Sequence, residues 1–427
     1  MFIGLVFSLS AQATDLLQVY HQALANDSVY TSARANLSAG QEASVQGRAG
    51  LLPAIALSGA TQRNSNNGNN YNDATSNSYT LSLSQPLFDV AAWQNYEQSK
   101  LSVAASEAAF AVAQQDLILR VAQAYFDVLT AEDALTSLQA EKSAILEQLA
   151  FAKRKFEVGT ATITDTHEAQ ARYDLAVAQE LSAQNTLDIA RSALQQIIGE
   201  APGDLAALRP GVELKKPEPM RMDRWVVNAE EQNFTVVQQQ LELEIAKRAI
   251  TRDRAGHYPT VDLVASRSDN DRRDPTQNNT SGNGPNNAIG VQWNIPLFSG
   301  FAVTSRVRQA IALEDRARAD LETARRSAAQ NARQAFLGVN SGLAQVKALE
   351  AAERSSRSAL ESNRLGYEVG VRINIDVLNA QQQLYSTRSE LSKARYDTLM
   401  NSLRLKAAAG TLQERDVVEI NTLLTQS

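Results

Sequence analysis

The stretch EVGTATITD, Glu157–Asp165, returns 211 residues later as EVGVRINID, Glu368–Asp376. Two further pairs keep the same order: RAGLLP (Arg48–Pro53) with RAGHYP (Arg254–Pro259), and QPLFD (Gln85–Asp89) with IPLFS (Ile295–Ser299). Their offsets are 206 and 210, and Gly199 and Gly410 again stand 211 apart. A period of this size is a duplicated domain rather than a solenoid, whose units run about 20–50 residues. The expectation is a first repeat over residues 14–215 and a second over 216–427, each holding a helix, a β-hairpin and a long helical hairpin, the second with a short C-terminal equatorial segment.

Working outward from the first copy, Val90–Val158 contains neither glycine nor proline and is rich in good helix formers. A continuous helix of that length reaches about 100 Å, so it needs partner helices along its whole course. Alternating steps of four and three from Leu117 give Val121, Ala124, Val128, Ala131, Leu135, Leu138, Lys142, Ile145, Leu149, Ala152 and Phe156. Only Lys142 breaks this 3.5-residue seam, the pattern of knobs-into-holes packing. A second helical stretch, Thr160–Ile198, follows Gly159, so Val158–Asp165 is the tip of a helical hairpin. The second half repeats this, with helix over Phe301–Leu365, a tip at Val369–Asp376 and helix through Val371–Ala409. Gly338 and Gly342 in its first arm read as close packing or a local irregularity rather than a break, because the repeat stays in register across them.

Ahead of each long helix the period changes to two. Tyr79, Leu81 and Leu83 alternate with Thr80, Ser82 and Ser84, and Ile289, Val291, Trp293 and Ile295 with Gly290, Gln292 and Asn294. Weaker strand candidates precede them at Pro53–Gln62 and Pro259–Ser268, across segments polar enough to be loops, Asn64–Asn77 and Asp269–Asn287. Alternating strands joined by long polar loops fit a transmembrane β-barrel; a half-exposed soluble hairpin has the same pattern. Aromatic residues near the strand ends, Phe88, Trp93, Tyr258, Phe298 and Phe301, favour the membrane.

The net charge of −6 argues against a nucleic-acid partner, and with no cysteine there is no disulfide, thiolate metal site or thiol nucleophile. Residues 1–13, MFIGLVFSLSAQA, end in the small-x-small pattern of a secretory signal peptide, although the basic n-region is missing. No apolar run approaches the roughly 18–20 residues of a spanning helix, so any crossing must use strands. Membrane barrels need at least eight strands and two hairpins supply four, so an oligomer must close the barrel; three copies give twelve. The expected object is a water-filled tube.

The RAG-x-x-P and P-L-F segments, AYFDVL (Ala124–Leu129), both VG tips and ARYDTLMNSLRLKAAAGTL (Ala394–Leu412) together resemble the TolC family of outer-membrane efflux proteins over nearly the whole mature chain. The resemblance implies a mainly α fold: a long α-helical coiled-coil barrel in the periplasm plus an outer-membrane β-barrel, in a homotrimer. It also implies docking to a periplasmic adaptor and an inner-membrane pump, ABC-type or proton-driven, and so a passive duct for drugs or proteins, gated at the periplasmic tips. Asp376 matches the first of two pore aspartates and Asn379 stands in place of the second. Thr164, Asp165, Tyr367 and Arg372 match the residues of the closing links, Tyr to Asp and Arg to Thr. Val158, Gly159, Val369 and Gly370 would be adaptor-docking positions.

Local roles compete with these. Asp165 and Asp376 stand where carboxylates stabilise helix N-termini, and Gly159 and Gly370 where helices end. His21, His167 and His257 are scattered and read as surface residues. With no Gly-rich phosphate loop and no catalytic motif, the expectation is a protein without cofactor or enzymatic activity. The rival reading is a periplasmic coiled-coil adaptor, which needs the helices but no barrel.

Overall fold

The computed structural model describes residues 13–64, 74–273 and 284–425, so the signal-peptide expectation falls outside the described residues except at Ala13. Two helices, α1 (Leu16–Asn26) and α2 (Ser28–Ala49), precede a hairpin of β1 (Ala54–Asn64) and β2 (Ala74–Phe88). The long arms α3 (Val90–Glu157) and α4 (Ile163–Ile198) follow. The order then recurs: α5 (Met222–Gln232), α6 (Phe234–Arg254), β3 (Thr260–Arg273), β4 (Gly284–Asn294), α7 (Ala302–Glu368) and α8 (Asn374–Ala408), with α9 (Glu414–Asn421) last. The long arms match closely, 68 residues in α3 against 67 in α7, and 36 in α4 against 35 in α8.

The chain forms two compact units, each drawing on both halves of the sequence. One holds residues up to 34, 110–236 and 325 onward; the other holds 35–109 and 237–324. The first is helical, and the seam of α3 is its spine. Leu117, Val121, Ala124, Val128, Ala131, Leu135, Ile145, Leu149 and Ala152 are all buried. Lys142, the break in the pattern, pairs with Glu180 of α4 at 2.5 Å, so its charge is neutralised at the packing surface. Around this spine, Leu16 and Val19 of α1, Leu194 and Ile198 of α4, Leu403 of α8, and Val417 and Ile420 of α9 complete the core. Tyr125 donates its hydroxyl to the Ala206 carbonyl at 2.7 Å, and Phe126 stacks on Tyr396.

Gly338 and Gly342 lie within an unbroken α7. A Cβ at Gly338 would sit 3.0 Å from Asn401 Nδ2, and one at Gly342 2.4 Å from Thr398 Oγ1. Both are places where α8 packs closely on α7 and neither breaks the helix.

The second unit carries an antiparallel four-stranded sheet in the order β1-β2-β3-β4. The register sets Ile55, Leu83, Ala265 and Ile289 in one row across the sheet, and Leu57, Leu81, Arg267 and Asn287 in the next. Paired residues share a face, so one face is largely apolar and the other carries Thr80, Ser82, Ser84, Gly290, Gln292 and Asn294. In the single chain Ile55, Leu57, Ile289, Val291 and Trp293 are exposed. Among the described residues β1 and β4 each have one neighbour, which leaves two open edges.

The strands outrun the sequence reading. Pairing continues to Asn64↔Ala74 and Asn270↔Gly284, so Ala74–Asn77, Asp269–Arg273 and Gly284–Asn287 are strand rather than loop. Ladder bonds join backbone groups, which are indifferent to side-chain polarity. A polar run therefore hides a strand end from periodicity.

Candidate functional site

Both arms leave their outgoing helices in the same way. Gly159 (φ 76°) and Gly370 (φ 82°) adopt the left-handed conformation that glycine takes without strain. Beyond them, the Thr160 N–H bonds the Lys155 carbonyl at 2.8 Å and the Val371 N–H bonds the Gly366 carbonyl at 2.9 Å. This six-to-one closure satisfies carbonyls that the helix end leaves free. It turns Val158, Val369 and Val371 outward, the last 76% exposed.

The returning helices begin differently. At the first tip Thr162 caps α4: its Oγ1 accepts from the Asp165 N–H at 3.3 Å, while Asp165 Oδ2 accepts from the Thr162 N–H at 3.0 Å and its hydroxyl at 2.8 Å. Asp165 thus closes a capping box. At the second tip the cap residue is Ile373, which makes no side-chain cap bond. Asp376, half-buried in the first turn of α8, instead meets Arg372 Nη1 at 3.6 Å.

Three contacts fasten the second hairpin to the first. Asn374, 0% exposed, donates from Nδ2 to the Asp165 carbonyl at 3.1 Å and accepts from Gln148 Nε2 of α3 at 2.5 Å. Lys155 of α3 donates to the Tyr367 carbonyl at 2.9 Å and lies over the Tyr367 ring, 4.2 Å from its centroid. Arg172 of α4 donates to Asn379 and Gln382 of α8. Apolar packing of Ile145, Leu149, Ala169, Ala176 and Leu378 lies beneath them.

Tyr367 is 6% exposed, packs edge-on against Phe151 and has a buried hydroxyl with no hydrogen-bond partner among the described residues. Burial raises its pKa, and the charge of Asp165 raises it further. The stem of Arg372 lies over Gly366, where a Cβ would come within 2.6 Å of its Cγ. Thr164 and Asn379 are exposed. The residues singled out from sequence are therefore gathered at the two tips. Within one chain, however, Asp165 serves its own helix and Arg372 faces Asp376. Lys155, Gln148, Arg172 and Asn374 were missed, though Asn374 stands where the first repeat has Ile163, a polar replacement at an apolar position.

A family described as "Outer membrane efflux protein" matches residues 19–200 and 225–411, which include both tips. The chain belongs to this family. It is 36% identical over 98% of its length to outer membrane protein TolC of Escherichia coli (strain K12), covering 87% of that protein. It is 33% identical over 98% of its length to the proteases secretion protein PrtF of Dickeya chrysanthemi, covering 94% of it. Among solved structures, the outer membrane protein VceC of Vibrio cholerae superposes with a TM-score of 0.80 at 19% identity, covering 92% of this chain and 96% of that one, a likeness of fold. The efflux protein is thus an outer-membrane export duct for efflux or type I secretion, with a periplasmic portion. Its relatives are channels rather than enzymes, and the adaptor reading is not favoured.

Proposed function

We propose that three copies of the chain form the duct and that its periplasmic entrance is gated where the second helical hairpin is fastened to the first. The fastening itself, by Asn374, Lys155 and Arg172, is the observation that carries the reading. The open edges of β1 and β4 support assembly, because an unpaired ladder in lipid costs several kcal/mol per group. Two copies would give eight strands, a barrel that side chains fill, whereas three give twelve around a wider lumen lined by the polar face. In that assembly the buried Tyr367 hydroxyl and Asp165, and Arg372 and Thr164, are the closing links, and Asp376 with Asn379 forms the constriction. The exposed tips, Val158, Gly159, Val369 and Gly370, dock a periplasmic adaptor. An inner-membrane pump, ABC-type or proton-driven, supplies the energy, and the duct itself catalyses nothing.

Planar-bilayer conductance tests this. The double variant Tyr367→Phe, Arg372→Ser raises conductance, and Asp376→Ala relieves block by di- or trivalent cations, since a ring of carboxylates favours cations. Unchanged conductance in the double variant would count against gating at the tips.

A further inference from the structure

We propose that Arg172 is a latch that holds the constriction segment of α8 against the first hairpin, a role resting on the tips being the gate. Its guanidinium sits on α4 and reaches across to the other hairpin. Nη2 donates to Asn379 Oδ1 at 3.0 Å, and Nη1 donates to Gln382 Oε1 at 2.8 Å. Asn379 and Gln382 stand three residues apart on α8, and Asp376 three residues before Asn379, so all three share one helix face. The planar fork of an arginine presents separate N–H groups to two acceptors at that spacing, a pre-organised geometry that a lysine ammonium lacks.

The identity of residue 379 decides what kind of latch this is. An amide oxygen accepts from the guanidinium without an ion pair. A carboxylate at the same place would accept the same hydrogen bonds and add an ion pair, the arrangement in which arginine binds most strongly. Asn379 therefore leaves α8 held but releasable. Arg172 also lies close enough to Glu141 of α3 for its charge to act there: burial raises the Glu141 pKa, and the guanidinium opposes that rise. Glu141 and Gln382 line a common cavity of about 490 Å³ between α3, α4 and α8. The latch thus faces a half-buried carboxylate on its own hairpin, an alternative partner if α8 swings away.

The latch reading and a pore-carboxylate reading of position 379 differ sharply in a double-mutant cycle on the full-length channel in planar bilayers. If Arg172 is the latch, Arg172→Gln raises open probability about three- to tenfold, the loss of roughly one hydrogen bond's worth of closure. Arg172→Lys lies between, keeping charge but one contact. Asn379→Asp lowers open probability by a similar factor, and that reduction disappears in the Arg172→Gln background. If Asn379→Asp instead strengthens cation block equally in both backgrounds and leaves opening untouched, the latch is overturned. It is overturned too if Arg172→Gln lowers only the thermal midpoint. Should Arg172→Gln be silent while Tyr367→Phe, Arg372→Ser opens the channel, the latch fails and the gate stands; if neither opens it, both fail.

Discussion

The two hairpin tips leave their outgoing helices identically and enter their returning helices differently. The first tip is self-sufficient, with Thr162 and Asp165 satisfying each other and the start of α4. The second has an uncapped Ile373 and sends its polar groups elsewhere: Asn374 to the first tip and to α3, Arg372 to Asp376, and the Tyr367 carbonyl to Lys155. The two similar tips thus differ as a holder and a held element. A helix start that depends on its neighbour is one that a change in that neighbour can release.

The largest expected effect comes from cutting the dependence itself. Asn374→Ala leaves the buried Gln148 amide without its partner, removes the link to the Asp165 carbonyl, and lowers stability by about 2 kcal/mol. Ile163→Ala, at the matching and more exposed position of the first tip, costs about 0.5 kcal/mol. Thermal unfolding of the two variants, followed by circular dichroism in detergent, compares them directly; equal losses would erase the distinction between the tips. A smaller effect separates the caps. Thr162→Ala costs about 1 kcal/mol through the lost capping box, while Ile373→Thr provides the missing cap and stabilises by about 0.5 kcal/mol. A destabilised Ile373→Thr would mean that the second tip is built to lack a cap for another reason.

The smallest effect tests the holding arm. Burial raises the folded-state pKa of Glu141 above its ordinary value of about 4.3, so the folded protein binds that proton more readily than the unfolded chain. The charged form is therefore a burden at neutral pH, lifted as pH falls through the folded pKa toward the unfolded one. Glu141→Gln raises the unfolding midpoint slightly at pH 7 and leaves it unchanged near pH 4. A gain of the same size at both pH values would show that desolvation of the charge is not its source.

The long arms were legible because an apolar seam every 3.5 residues is a local signal; its polar break, Lys142, proved to be a paired charge, while Phe156, its last position before the tip, lies exposed. The sheet was legible through its alternation but not to its ends, where polar residues remove the contrast that periodicity needs. The fastening was the least visible part. Lys155 meets Tyr367 from 212 residues away and Arg172 meets Asn379 from 207, and nothing local marks either pair. The available sign lay in comparing the repeats with each other: Thr162 against Ile373, Ile163 against Asn374 and Lys155 against Gly366 are departures between otherwise similar copies. Each falls on a residue that closes a tip or crosses between the hairpins.

The two open edges of the sheet also bear on how the protein is made. A lone chain arriving at the outer membrane presents unpaired ladders at β1 and β4 and an uncovered apolar face, a template for pairing with any exposed strand. Lipid offers no hydrogen bonds to such an edge, so a solitary copy gains nothing stable by inserting. In the proposed trimer, chains would therefore have to join before or during insertion, and the number of channels would depend steeply on how many copies meet at once.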